Sequence, residues 1–374
     1  MLTICFENYG MQEKPHILVC PLDWGLGHAS RMIPVIDALL KLNCRVTAGA
    51  SGKPMVMLRE EFKDRIDYIV FPGASIRYHA WLPAALNVFL QIPILLFWVY
   101  KERRYLSRIL DQVQPDMVIS DNRYGVRNKR VLSVFVTHQL NIRMPAGFGW
   151  AGRILNYFNH RIIRKFDHCL VPDAEDFPGL AGKLSHVNKL PGLLYSGPIS
   201  RFSSVDLAGL KKPAGKTPEN FILVLLSGPE PQRSKLEGLL KSELMDENVV
   251  WFRGLPGKEV PAKENDHWIY DHGSRQLMGW FIRESSMVIC RSGYTTIMDL
   301  CVFGKKAVMI PTPGQTEQEY LARLLEKSGY IESLDQSNLK TLKESIRSAR
   351  KKPGLPQVKN DLLKEKLREL IRMI

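Results

Sequence analysis

A chain of 374 residues, 45% hydrophobic and 24% charged, is longer than one hydrophobic core usually supports and too apolar for disorder, so two globular domains are expected. Its six cysteines form no CxxC pair, which argues against a disulfide scaffold and fits a reducing cytoplasm. The formal net charge of +14 attracts anions, and residues 101 to 165 concentrate it with 13 Lys or Arg against four acids; no DNA- or RNA-binding motif accompanies it, so nucleic acid is not the expected partner.

The opening residues, Met1 to Lys14, contain Glu7 and Glu13 and lack the basic-then-apolar order of a signal peptide, and Met11 is an alternative start. A strand follows at His16 to Cys20, then the turn Gly25-Leu26-Gly27-His28 and a helix from about Ser30 to Leu42. As a dinucleotide fingerprint this turn fails: Ser30 stands where the third glycine belongs, and Ala48-Gly49-Ala50 where an acid is needed. Further apolar runs at Arg45 to Ala50, Tyr68 to Phe71, Met117 to Ser120, Val131 to Thr137 and Cys169 to Pro172 alternate with helical patterns, among them Trp150 to Phe166. That rhythm predicts a parallel sheet covered by helices.

Residues 78 to 100 carry no Asp, Glu, Lys or Arg, but Pro83, Asn87, Gln91 and Pro93 interrupt them and a spanning helix here would split the sheet. A buried or cleft-lining helix pair is one expectation. An interfacial patch is the other, favoured by Lys101, Arg103, Arg104 and Arg108; it implies peripheral contact with an anionic membrane surface, on the inner face of the plasma membrane. A Pro/Gly-rich linker spans residues 198–220, which places the first domain at 1–197 and the second at 221–374. In the second, Phe221 to Leu226, Val249 to Phe252, Trp268 to Tyr270, Met287 to Cys290 and Ala307 to Ile310 read as strands.

Candidate chemistry clusters where strands end. His28 stands where a parallel sheet opens on a cleft, and an imidazole there can remove a proton from a hydroxyl. Asp121 closes another strand at the same edge; it either orients that imidazole or caps the loop with Asn122. His138 follows a third strand and is a candidate either to replace His28 as the partner of Asp121 or to contact an acceptor. In the second half, Ser227-Gly228 precedes a helix, with Arg233 nearby, and Arg291-Ser292-Gly293 opens a helix near Thr295 and Thr296 whose unpaired amides suit phosphate. Asp299 either holds a ribose diol or is an exposed helix acid, and Glu317-Gln318, after a Pro/Gly loop, are placed to reach sugar hydroxyls. No cluster has metal-ligand spacing, and neither a metal nor another cofactor is expected.

These motifs resemble the GT-B fold glycosyltransferases, particularly the MurG-type family 28 enzymes and the UDP-glycosyltransferase superfamily. The likeness covers both halves and is most specific in the second. It implies an α/β architecture, two Rossmann-like domains with parallel sheets facing across a cleft. It also implies an acceptor loop at Gly25, Gly27 and His28, a base pair of His28 and Asp121, and a donor site at Ser227, Gly228, Arg233, Arg291, Ser292, Gly293, Thr295, Asp299, Glu317 and Gln318. The activity so implied is inverting, metal-independent transfer of N-acetylglucosamine or another hexose from a UDP-linked donor to a lipid-linked or other membrane-associated acceptor in cell-envelope synthesis. A UDP-sugar epimerase of the same fold, or a non-catalytic nucleotide-sugar-binding subunit, are the alternatives. The loop Asp23-Trp24-Gly25-Leu26-Gly27-His28 is poorer in glycine than the MurG-type loop, and Leu321 stands where relatives often have asparagine.

Overall fold

The computed structural model describes residues 14–73, 91–145, 147–187, 190–213, 217–255, 261–264, 267–358 and 362–374. The first 13 residues and most of the uncharged stretch 78–100, up to residue 90, lie outside them.

The first unit runs β1 (His16–Pro21), α1 (Leu26–Lys41), β2 (Arg45–Ala50), α2 (Gly52–Phe62), β3 (Asp67–Val70), α3 (Ile92–Val113), β4 (Met117–Asp121), β5 (Leu132–Val136), α4 (Gly149–Ile163), β6 (His168–Val171) and β7 (Leu193–Tyr195). Its seven strands are parallel in the order β3-β2-β1-β4-β5-β6-β7. Because both faces of β1 and β4 are covered, these strands read as continuous apolar runs rather than alternating ones. Ile17, Val19, Ile119 and Val136 face α1 and α2, while Leu18, Cys20 and Val118 face α3, and Phe135 and Cys169 face α4.

The second unit runs β8 (Ile222–Leu225), α5 (Gln232–Glu243), β9 (Val249–Phe252), β10 (Ala262–Glu264), β11 (His267–Tyr270), α6 (Arg275–Glu284), β12 (Met287–Cys290), α7 (Tyr294–Phe303), β13 (Ala307–Met309), α8 (Thr316–Lys327), β14 (Glu332–Ser333), α9 (Leu342–Lys351) and α10 (Leu362–Ile371). The order is β10-β11-β9-β8-β12-β13-β14, parallel except for the antiparallel edge pair β10–β11.

The two sheets divide between β7 and β8, while the end of the chain returns to the first unit. Helix α10 buries Leu363, Leu367 and Leu370, one stripe at helical spacing, in the core that α1 builds in the first unit. Its apolar stripe finds its partner there, so the last helix belongs to the first core. The strand order of each sheet turns back beside its first strand, between β1 and β4 and between β8 and β12, which is where ligands bind in open α/β sheets.

Candidate functional site

Helix α1 starts one turn earlier than its periodicity predicts, at Leu26, so His28 lies in its first turn. Gly25, at φ 136°, supplies the entry conformation that a side chain would strain. The His28 imidazole, half-buried, sits with Nδ1 3.0 Å from Oδ2 of Asp121, the last residue of β4, whose carboxylate is wholly buried. Arg31, three residues along α1 on the same face, holds the other Asp121 oxygen with Nη2 and reaches His138 Nδ1 at 3.2 Å with Nη1. Burial alone would raise the Asp121 carboxyl, but the Arg31 guanidinium and His28 outweigh it and hold it below its usual range.

His138 follows β5 and is buried across the cleft from α8. Its Nε2 lies 2.7 Å from Glu317 Oε1, its ring stacks on Tyr294 at 4.2 Å between centroids, and Gln139 takes the second Glu317 oxygen. Burial lowers the imidazole's pKa, with Arg31 and His28 adding to the depression and Glu317 opposing it. Glu317 is held below its usual value despite burial, by His138, His28 and Arg31.

Two helix starts meet here. Thr295 in the first turn of α7 places Oγ1 3.5 Å from the carbonyl oxygen of Gly27 in the first turn of α1. Neither helix has a side-chain cap or an acid in its first turn. Each N-terminus carries the equivalent of roughly half a positive charge, so the potential between the two favours an anion. A Cβ on Gly27 would stand 3.4 Å from Thr295 Oγ1, an ordinary van der Waals contact.

Residues 267–372 match the family model described as the glycosyltransferase family 28 C-terminal domain. The chain is 25% identical over 251 residues to an uncharacterized glycosyltransferase of Methanosarcina acetivorans, a match spanning 61% of each protein. It is 23% identical over 334 residues to the UDP-N-acetylglucosamine--N-acetylmuramyl-(pentapeptide) pyrophosphoryl-undecaprenol N-acetylglucosamine transferase of Lawsonia intracellularis, covering 80% of this chain and 86% of that one. Among solved structures, the glycotransferase of kitacinnamycin superposes with a TM-score of 0.63 at 14% identity, over 96% of this chain and 94% of the other, a likeness of fold. The fold is that of the GT-B glycosyltransferases, and the second unit carries the match to the family 28 C-terminal domain.

Several residues expected on the donor side make hydrogen bonds and ion pairs inside the protein. Arg291, 1% exposed, donates to the carbonyls of Ile310, Pro311 and Gln232, and burial pulls its pKa down to about 10. It pins the loops after β13 and β8 rather than pointing into the cleft. Arg233 is likewise buried, paired with Glu230 at 2.6 Å and Glu237 at 2.7 Å. Ser292 Oγ donates to the Gln318 carbonyl at 2.8 Å, and the Gln318 side chain accepts from Thr312 N at 2.9 Å, so both shape the start of α8. Asp299 accepts from Ser200 Oγ at 2.7 Å and pairs with Arg201 at 3.2 Å. Its carboxylate faces the linker between the units. Burial nevertheless raises its pKa.

Ser227 and Gly228 are exposed after β8, with Gly228 at φ 105°, while Gly293 and Thr295 are half-buried at the α7 start. The sequence reading missed Arg31, whose signal was its place three residues after His28. It also missed Tyr294, whose hydroxyl donates to the Pro172 carbonyl at 2.7 Å and whose ring seats His138. Nor did it find a further bridge between the units, Arg275 to Asp37 at 2.9 Å and to Glu61 at 2.7 Å.

Proposed function

We propose that the glycosyltransferase moves a hexose, such as N-acetylglucosamine, from a UDP-linked donor to a hydroxyl of a lipid-linked acceptor by a single inverting displacement. The observation that carries this reading is the meeting of the α1 and α7 starts beside the His28–Asp121 pair and Glu317. The donor diphosphate lies on the helix starts, whose fixed dipoles favour the charge that grows on the leaving nucleotide. Glu317 leaves His138 to accept from sugar hydroxyls. With Nδ1–H donated to Asp121, His28 presents a free Nε2 lone pair that takes the acceptor proton as the new glycosidic bond forms and the bond to the diphosphate breaks. Helix dipoles meet the phosphate charge, so activity should persist in a chelator.

A lipid-linked acceptor is supported by the exterior of α4. Phe148, Trp150, Ile154, Tyr157 and Phe158 are each at least 50% exposed, beside the exposed Arg153, Arg161, Arg164 and Lys165. From residue 122 to 166 there are nine Lys or Arg and no acid. On α3, Ile94, Phe97 and Tyr100 are similarly exposed ahead of Lys101 and Arg104. Aromatic side chains ringed by cations suit the headgroup region of an anionic bilayer, and the Lawsonia relative is named for a pyrophosphoryl-undecaprenol substrate. No helix among the described residues is long and apolar enough to cross a membrane.

The test is UDP release from a panel of nucleotide sugars, with and without a polyprenyl-diphosphate-linked sugar in vesicles of anionic or neutral lipid. Acceptor-dependent release with one UDP-sugar is expected, faster on anionic vesicles and lost in His28→Ala. Sugar isomerisation without acceptor would point instead to an epimerase, and the absence of any nucleotide-dependent rise in melting temperature would sink the donor assignment.

A further inference from the structure

We propose that Arg31 is the positioning residue that sets the protonation pattern of both cleft imidazoles and joins the base to the sugar-facing carboxylate in one chain of hydrogen bonds, an inference that rests on the transferase reading.

A guanidinium has donors only. Arg31 Nη1, 3.2 Å from His138 Nδ1, therefore requires that nitrogen to be an acceptor, which puts the His138 proton on Nε2, where it is donated to Glu317 at 2.7 Å. On the other side Arg31 Nη2 donates to Asp121 Oδ1, leaving Oδ2 to accept from His28 Nδ1–H at 3.0 Å. Nη2 also stands 3.1 Å from His28 Nδ1. The carboxylate is the stronger, charged acceptor for both, so Nδ1 keeps its proton and Nε2 is the free base. One cation on α1 thus fixes the direction of every bond from Glu317 on α8 to His28.

The charges agree with that arrangement. The groups facing the two imidazoles are Arg31 from α1, Asp121 from β4, Gln139 beside His138, Tyr294 from α7 and Glu317 from α8. With both imidazoles neutral, Arg31 faces two carboxylates, and the cluster holds one unmatched negative charge until His28 takes the acceptor proton. Without Arg31 there are two unmatched negative charges, and an imidazole is drawn to hold a proton before the acceptor arrives. When the donor sugar claims Glu317, His138 loses its acceptor, and Arg31, bonded to both His138 and Asp121, passes the change to Asp121.

The experiment compares wild type, Arg31→Met and Arg31→Lys by nitrogen-15 NMR of the histidine rings and by the pH dependence of UDP release. Wild type should show His138 protonated on Nε2 alone, and in Arg31→Met, where Glu317 still holds the Nε2 proton, Nδ1 should take up a second proton at higher pH than in wild type. In Arg31→Met, kcat should fall about 100-fold, the size of a misplaced acid–base group, with donor KM little changed and the acidic limb moved to higher pH. Arg31→Lys keeps the charge but not the fork, so its acidic limb should stay near that of wild type while kcat still falls; it also carries the test if Arg31→Met does not fold. A wild-type His138 protonated on Nδ1, or Arg31 variants with the wild-type rate and pH profile, would overturn the inference. A wild-type protein inactive with every donor would overturn the transferase reading, and the ring spectra would still decide the role of Arg31.

Discussion

Replacing Asp121 with Asn separates the structural and chemical duties of the cleft cluster. The side chain keeps its size but loses the charge that the Arg31 guanidinium, 2% exposed, faces in the interior. Breaking a buried pair by removing one partner costs about 3–5 kcal/mol, and because the amide oxygen still accepts one bond from Arg31, the loss should lie near the lower figure. At roughly 2–4 °C per kcal/mol for a domain of this size, the melting temperature should fall by about 6–12 °C, while a typical native stability of about 5–15 kcal/mol leaves the protein folded. The rate should fall more steeply. The amide NH2 now faces His28 Nδ1, inviting that nitrogen to accept and placing the proton on Nε2, where the base lone pair is needed. A loss of about 10²–10⁴-fold in kcat follows. Melting scans and initial rates of UDP release measure both quantities. His28→Ala, altering a half-buried ring, should match the rate loss with a much smaller change in melting temperature. An Asp121→Asn protein with the wild-type rate and melting point would refute the reasoning.

Leu367→Ala, at a wholly buried site between α10 and α1, should cost about 2–5 kcal/mol in denaturant unfolding; a negligible loss would show that α10 does not belong to the first core. Asp299→Asn should lower the melting temperature by loosening Ser200 and Arg201 while leaving UDP affinity within about twofold, since its carboxylate faces the linker; a large loss of UDP binding in calorimetry would restore the ribose role. For pH, burial depresses the His138 pKa, so the unfolded chain takes the proton first. Its stabilising contribution is complete above about pH 6.5 and is lost as pH falls toward the folded value, by at most about 1.4 kcal/mol per pH unit. Asp121 and Glu317, depressed carboxylates, lose theirs only in the more acidic range. Urea midpoints between pH 7.5 and 5 should therefore fall more steeply in wild type than in His138→Asn, and equal slopes would contradict the burial argument.

The sequence by itself determined the two-sheet architecture and the edge on which chemistry gathers, because strands buried on both faces leave uninterrupted apolar runs and the residues that close them mark the ends of the sheet. Asp121 and His138 were legible as candidates for that reason, and His28 and Glu317 because a glycine turn or loop running into a helix marks the same edge. Helix α10 was not, since a leucine stripe says that a helix needs a partner without saying which of two cores supplies it. Tertiary structure alone decided where the arginines and Asp299 point. A charged residue beside a glycine turn reads the same whether it faces a ligand or a ring of carbonyls, and only packing turned Arg291, Arg233 and Asp299 inward. The converse holds for Arg31: a helical cation in sequence, it becomes the centre of the cleft because the ends of β4 and β5 bring Asp121 and His138, residues 90 and 107 positions away, within reach of one guanidinium.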